Sequence, residues 1–245
     1  MVRMVHRRIF AAAMGLCFFV IGPLGARAQV VVYDQVGIVG EPVDLVVRTS
    51  GLFSAAGGRR VDFELEGEPP ARVMTGADGF GYRRVTPRRT GLLSVEASAD
   101  GRRGSGRLLV LDPAEPAVLV EVDTALKAAV WGAAERDDCR SALESISRRY
   151  RVIYVSHRLG ADWVRTRIAP AGLPDSVVLP WKGVALLKSL QNRGVQVAAL
   201  VGSAAVVSEG RSRVDKRFAF EKSRGALLVR RWAEISEQLD SATPP

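Results

Sequence analysis

Two different periods of apolar and polar residues divide the chain. From residue 30 to 111, short alternating or apolar runs are punctuated by glycine and turn residues: VVVYDQV, PVDLVVRT, RRVDFELEG, ARVMTGADG, FGYRRVTP, GLLSVEASADG and GRLLVLD. In VDFELEG, Val61, Phe63 and Leu65 alternate with acids, the period of two that marks a half-buried strand. Asp78-Gly79 and Asp100-Gly101 are hairpin-turn dipeptides. About seven strands at this spacing predict an all-β sandwich over residues 30–112.

Residues 113–116, within Asp112-Pro113-Ala114-Glu115-Pro116, read as a short stiff linker. Beyond it, residues 117–240 alternate strand and helix. Ala117 to Val122 is a near-continuous apolar run, as expected of a strand buried on both faces. Cys139, Leu143, Ile146 and Tyr150 then recur at helical spacing, and Arg151 to Ser156 forms a second buried strand. Trp163, Val164 and Ile168 mark a helix ended by Pro170, and Val177 to Leu179 a short strand. Val184, Leu187 and Leu190 mark a helix closed by Gly194. Val195 to Val201 and Arg217 to Phe220 complete the strands. Ser223 is placed to cap a last helix with the stripe Leu228, Trp232, Ile235 and Leu239. This alternation predicts a Rossmann-like, mostly parallel sheet with helices on both faces, and ligands beyond the carboxyl ends of its strands. Residues 241–245 are a tail.

The first 28 residues follow neither pattern. Arg3, Arg7 and Arg8 precede an apolar run from Ile9 to Ile21, and Ala26-Arg27-Ala28 supplies small residues at cleavage spacing. That is the pattern of a secretory signal peptide. The run is too short for the ~20-residue span of a membrane anchor, the competing reading. The expected destination is a periplasm or the extracellular space. Cleavage takes four arginines and no acid, lowering the formal net charge from +9 to +5. It also removes Cys17 and His6, so Cys139 and His157 are the mature chain's sole cysteine and histidine. An intrachain disulfide and a zinc site built on several histidines or cysteines are excluded. The remaining basic residues lie largely in doublets: Arg59-Arg60, Arg83-Arg84, Arg88-Arg89 and Arg102-Arg103. These are solvated strand edges or a surface for an anionic lipid or polymer. No aromatic residue alternates with them, so nucleic acid is not an expected partner.

The β half resembles the bacterial immunoglobulin-like domains of exported proteins. The resemblance rests on Gly40-Glu41-Pro42-Val43, Ala77-Asp78-Gly79-Phe80, and Thr86-Pro87 followed by Gly91-Leu92-Leu93-Ser94-Val95. Such a resemblance implies a spacer or adhesive module.

The second half, residues 116–240, resembles the haloacid-dehalogenase-like phosphatases, in particular their lipin and phosphatidylinositol-transfer-protein branch. The first family motif is an apolar strand followed by D-x-D-G-T-L; here it reads Glu121-Val122-Asp123-Thr124-Ala125-Leu126. The second motif fits Tyr154-Val155-Ser156-His157-Arg158, with Ser156 and Arg158 at phosphate-binding positions. Leu173 to Leu179 is similar to a strand of the branch, and the third-motif lysine falls on Lys182, with Lys188 as the weaker candidate. The fourth motif, G-D-x-x-x-D, is replaced by Gly202-Ser203-Ala204-Ala205-Val206-Val207, without its two acids. The implied site is therefore Glu121, Asp123, Ser156 and Lys182, as vestiges of a catalytic set.

These replacements have chemical consequences. Glu121 carries one methylene more than aspartate, and a misplacement near ~1 Å costs on the order of 10²-fold in rate. Mg²⁺ requires hard oxygen donors in near-octahedral array, and the site lacks two of its acids; Glu209 and Asp215 are the candidate replacements. Buried in an apolar strand, Glu121 is expected to face the crevice or to pair with Arg158 or Lys182. For Asp123 a retained site role and a capping role both stay open. The expectation is an exported, non-catalytic pseudophosphatase without cofactor, whose role is binding an unidentified ligand or envelope protein. The alternatives are an active lipin-like phosphatase that uses Mg²⁺ at an atypical Glu121/Asp123 site, and an anionic-lipid or polymer binder acting through the arginine doublets.

Overall fold

The computed structural model describes residues 29–51, 55–113, 115–127 and 138–241. The signal-peptide reading and almost all of the tail lie outside these residues. The N-terminal half comprises β1 (Gln29–Tyr33), β2 (Gln35–Ile38), β3 (Val43–Ser50), β4 (Arg60–Leu65), β5 (Ala71–Met74), β6 (Phe80–Val85), β7 (Gly91–Ala99) and β8 (Arg102–Leu111). One sheet runs β1-β3-β6 and the other β2-β8-β7-β4-β5. Alternating residues such as Val43, Leu45 and Val47 meet Val61, Phe63, Val95 and Leu108 in the core between them. This is the expected β-sandwich, with one more strand because the run VVVYDQV breaks at Asp34. Its first part pairs antiparallel with β3, its second part parallel with β8.

The two turn dipeptides behave differently. Asp100 and Gly101 both have positive φ (51° and 72°), the geometry of a two-residue hairpin, and they join the paired strands β7 and β8. Asp78-Gly79 does not form a hairpin between paired strands. It makes a tight local turn in which Gly76 N–H donates to the Phe80 carbonyl at 2.8 Å, but β5 and β6 belong to different sheets. A turn signal specifies reversal, not which strand the chain pairs with next.

The C-terminal half is an open sheet of six strands: β9 (Pro116–Glu121), β10 (Arg151–Ser156), β11 (Val178–Pro180), β12 (Gln196–Gly202), β13 (Lys216–Ala219) and β14 (Leu227–Leu228). Their order is β11-β10-β9-β12-β13-β14, and every pairing is parallel. The helices are α1 (Val122–Ala125), α2 (Asp138–Ser147), α3 (Ala161–Ile168), α4 (Val184–Asn192), α5 (Ala204–Glu209) and α6 (Trp232–Asp240). The order reverses between β9 and β12, which makes that point the switch of the sheet. The stop of α4 is as expected: Gly194 has φ +88°, its N–H donates to Gln191, and Val195 N–H reaches back to Leu190. The last helix differs from expectation. Ser223 does not cap it; its hydroxyl contacts the Ala204 carbonyl, and Leu227 and Leu228 form an exposed edge strand before the helix begins at Trp232. Trp232, Ile235 and Leu239 are its buried stripe.

On one sheet face Val118, Val120, Tyr154 and Val201 pack against α2, α3 and α6. On the other, Ala117, Leu119, Ile153 and Leu200 pack against Leu187 and Leu190 of α4 and Val206 and Val207 of α5. The same cluster contains Val36 and Ile38 of β2 and Leu109 and Leu111 of β8. The sandwich thus completes the second face of the parallel sheet, and the two halves share one apolar core.

Candidate functional site

The carboxyl ends of β9, β10 and β12 bring together Glu121, Asp123, Ser156 and Ser203. Glu121 closes β9 and is 1% exposed. Ala117 and Leu119 face the α4–α5 side, and the two-residue period of a strand sends Glu121 the same way. Its Oε2 accepts the backbone N–H of Ser203, directly after β12. The glutamate therefore bridges the switch point, the crevice-facing alternative of the two expected, and pairs with neither Arg158 nor Lys182. Gly202 makes room for it: a Cβ there would lie 2.9 Å from Oε2 and 3.1 Å from the Glu121 Cβ.

Asp123 stands in the first turn of α1. Its Oδ2 accepts the N–H of His157 at 2.5 Å, and its Oδ1 those of Leu159 at 2.7 Å and Arg158 at 3.3 Å. Three successive amides converging on a carboxylate form a concavity for an anion, and here a side chain of the same chain supplies that anion. The Ser156 hydroxyl donates to the Leu159 carbonyl and lies 3.4 Å from Asp123 Oδ1. Ser156 is 3% exposed. Asp123 thus caps the loop that follows β10 and not the segment after its own strand. Arg158 and His157 enter the cluster through their backbone amides, while their residues as a whole are exposed.

The other predicted members sit elsewhere. Lys182 precedes α4, exposed, and lines a groove toward the sandwich. Lys188 is exposed on α4. Glu209 Oε2 accepts the Trp181 indole N–H at 2.9 Å. Asp215 immediately precedes β13, at the amino end of the sheet, opposite to where a site acid belongs. Position 203 offers a helix cap and position 207 a buried valine. No group of three His, Cys, Asp or Glu side chains able to hold a metal occurs among the described residues. This donor set does not fit the Mg²⁺ that the resemblance to those phosphatases implies.

The arginine doublets are dispersed and partly neutralised. Arg83 turns inward and donates to the Pro69 carbonyl at 2.6 Å, with burial lowering its pKa. Arg59, Arg84 and Arg89 form ion pairs with Asp100, Asp44 and Glu66.

A buried carboxylate that sequence reading passed over joins the two halves. Asp34, with its side chain 1% exposed, accepts Arg107 N–H from β8 at 2.9 Å and Val178 N–H from β11 at 2.8 Å. It also pairs with the Arg165 guanidinium of α3. Burial raises its pKa above 3.8, opposed chiefly by the charge of Arg165. The sequence held one signal for it, a lone acid interrupting the apolar run before Gln35.

No family model matches this chain, and no curated protein does. Among solved structures, it is similar to an "IG27 protein domain" at 15% identity, covering 35% of this chain and 94% of that one, with a TM-score of 0.28. It is similar to the "D00-D0 domain of Intimin" at 12% identity, covering 38% and 52%, with a TM-score of 0.29. It is also similar to the "Tandem Ig repeats of Dlar" at 16% identity, covering 39% and 57%, with a TM-score of 0.28. In the last two cases the chain spans little more than half of the matched structure.

Proposed function

We propose that this chain is a non-catalytic binding protein of the cell envelope, an immunoglobulin-like sandwich fused to a haloacid-dehalogenase-like domain that no longer performs phosphoryl transfer. The observation that carries this reading is the engagement of both Asp123 carboxylate oxygens by the amides of His157, Arg158 and Leu159. A carboxylate that serves as nucleophile or general acid must present a lone pair or proton to substrate. One that neutralises three backbone dipoles is held as a structural anion, and an incoming phosphate dianion would have to displace it. Glu121 supports the same reading, because it fills the switch-point crevice where ligands of open parallel sheets bind. Export rests on the sequence pattern of residues 1–28; no helix among the described residues is long and apolar enough to cross a membrane.

Calorimetric titration of the purified chain with MgCl₂ tests the reading. The expected trace shows only heats of dilution. Saturable micromolar binding that vanishes in Asp123→Ala would favour the phosphatase reading instead.

A further inference from the structure

A groove of about 430 Å³ lies beside the shared core, between the outer face of the three-stranded sheet and α4. One wall carries Tyr33, Phe80 and Tyr82. Their rings lie nearly parallel in sequence, Tyr33 to Phe80 at 6.1 Å and 21°, Phe80 to Tyr82 at 6.5 Å and 20°. The strand register explains the row. Tyr33 and Tyr82 both pair with Val46 of β3, and Phe80 pairs with Arg48, so all lie on the face turned away from the sandwich core. Tyr82 is 58% exposed although it is a large ring. The opposite wall carries Lys182 and Arg193 at the two ends of α4.

The charge of the groove is one-sided. Its one acid, Asp34, is paired with Arg165. Lys182 makes no ion pair or hydrogen bond among the described residues. Arg193 donates to neutral acceptors, the Gln35 Oε1 at 3.3 Å and the Val36 carbonyl at 3.1 Å. Arg48 lies over the Phe80 ring, 5.5 Å from its centroid, and adds a third cation beside the platform. The Tyr33 and Tyr82 hydroxyls and Ser189 supply uncharged polar groups in the same opening.

We propose that this groove binds an acidic polysaccharide, an occupant argued from charge complementarity and ring chemistry together. A sugar ring offers an apolar C–H face to an aromatic ring and hydroxyls to tyrosine, serine and amide groups. A carboxylated sugar adds the anion that Lys182 and Arg193 lack. A single-stranded nucleic acid would stack its bases along a continuous basic groove, whereas here the cations flank the aromatic row at separate points. This inference rests on the binding reading above and gives that reading a site and a ligand class.

Affinity electrophoresis of the full chain through gels containing polygalacturonate tests it. Retardation is expected with polygalacturonate and not with neutral dextran, and Tyr82→Ala and Lys182→Glu each weaken it at least tenfold. Both side chains are exposed, and an unchanged thermal transition verifies that the variants fold. Absence of retardation overturns the proposal. So does retardation that ignores both variants but disappears in Arg102→Glu/Arg103→Glu, which would place binding on the arginine doublets. Equal retardation by an oligodeoxynucleotide or by anionic phospholipid vesicles, with the same dependence on Tyr82, also overturns the sugar assignment. Aryl phosphatase turnover of the same preparation is read separately: turnover refutes the non-catalytic reading and leaves the groove result standing.

Discussion

At the scale of single residues, the strand-end cluster is a set of mutual accommodations. Glu121 reaches the Ser203 amide, and Gly202 leaves the space that this reach requires. A Cβ at position 202 would meet both Glu121 and Val206 at 2.9 to 3.1 Å, tighter than van der Waals contact. Gly202→Ala is therefore expected to destabilise by about 1–3 kcal/mol, the usual cost of overpacking. Glu121→Asp withdraws the carboxylate by one methylene, so the double variant loses less than the sum of the two single changes. Urea denaturation of the four proteins measures the coupling. Strict additivity would show that Glu121 and Gly202 do not share the space assigned to them.

At the scale of elements, most of the fold was legible because burial imposes a period. The sandwich strands alternate, the parallel strands are apolar on both faces, and the helices carry their stripes at 3.6-residue spacing. The stop at Gly194 was legible because an L-residue side chain disfavours the positive φ that this cap requires. What escaped depends on partners distant in sequence. Asp78-Gly79 gave a turn but not the change of sheet. The pattern around Leu228 placed a helix where two exposed residues pair with β13 instead, since two residues are too few to establish any period. Gly104 and Gly106 are a further case: a Cβ at Gly104 would lie 2.2 Å from the Val30 carbonyl oxygen, and one at Gly106 would lie 2.7 Å from a Val32 methyl. Glycine in a strand signals such close approach, but the sequence does not say which backbone approaches. The site was legible as positions and not as roles: Ser156 lies 3.4 Å from Asp123, while Lys182, just before α4, lines the groove.

At the scale of the whole molecule, Asp34 and the shared apolar cluster tie two fold types into one unit. Asp34 joins β8, β11 and α3 through three acceptor contacts. Asp34→Ala leaves the Arg107 and Val178 amides without their acceptor while Arg165 keeps Asp162; an unmet buried hydrogen-bonding group costs about 1–3 kcal/mol, so the variant should lower the stability of both halves together in one calorimetric transition. Its pH dependence has a definite sign. Because burial raises the folded pKa above 3.8, the folded chain binds the proton more tightly than the unfolded one, and this group's contribution falls as pH rises through that window. Relative to Asp34→Asn, the wild type should gain stability as pH drops from neutral toward 3.8. A wild type that loses ground over that range would mean that Arg165 outweighs desolvation at Asp34.

The central claim is that Asp123 is occupied by the protein's own backbone and does no chemistry. Its most direct measurement is phosphate release from p-nitrophenyl phosphate in excess Mg²⁺, comparing the wild type with Asp123→Ala. The account predicts the same background rate in both. Turnover by the wild type that is abolished in Asp123→Ala would contradict it.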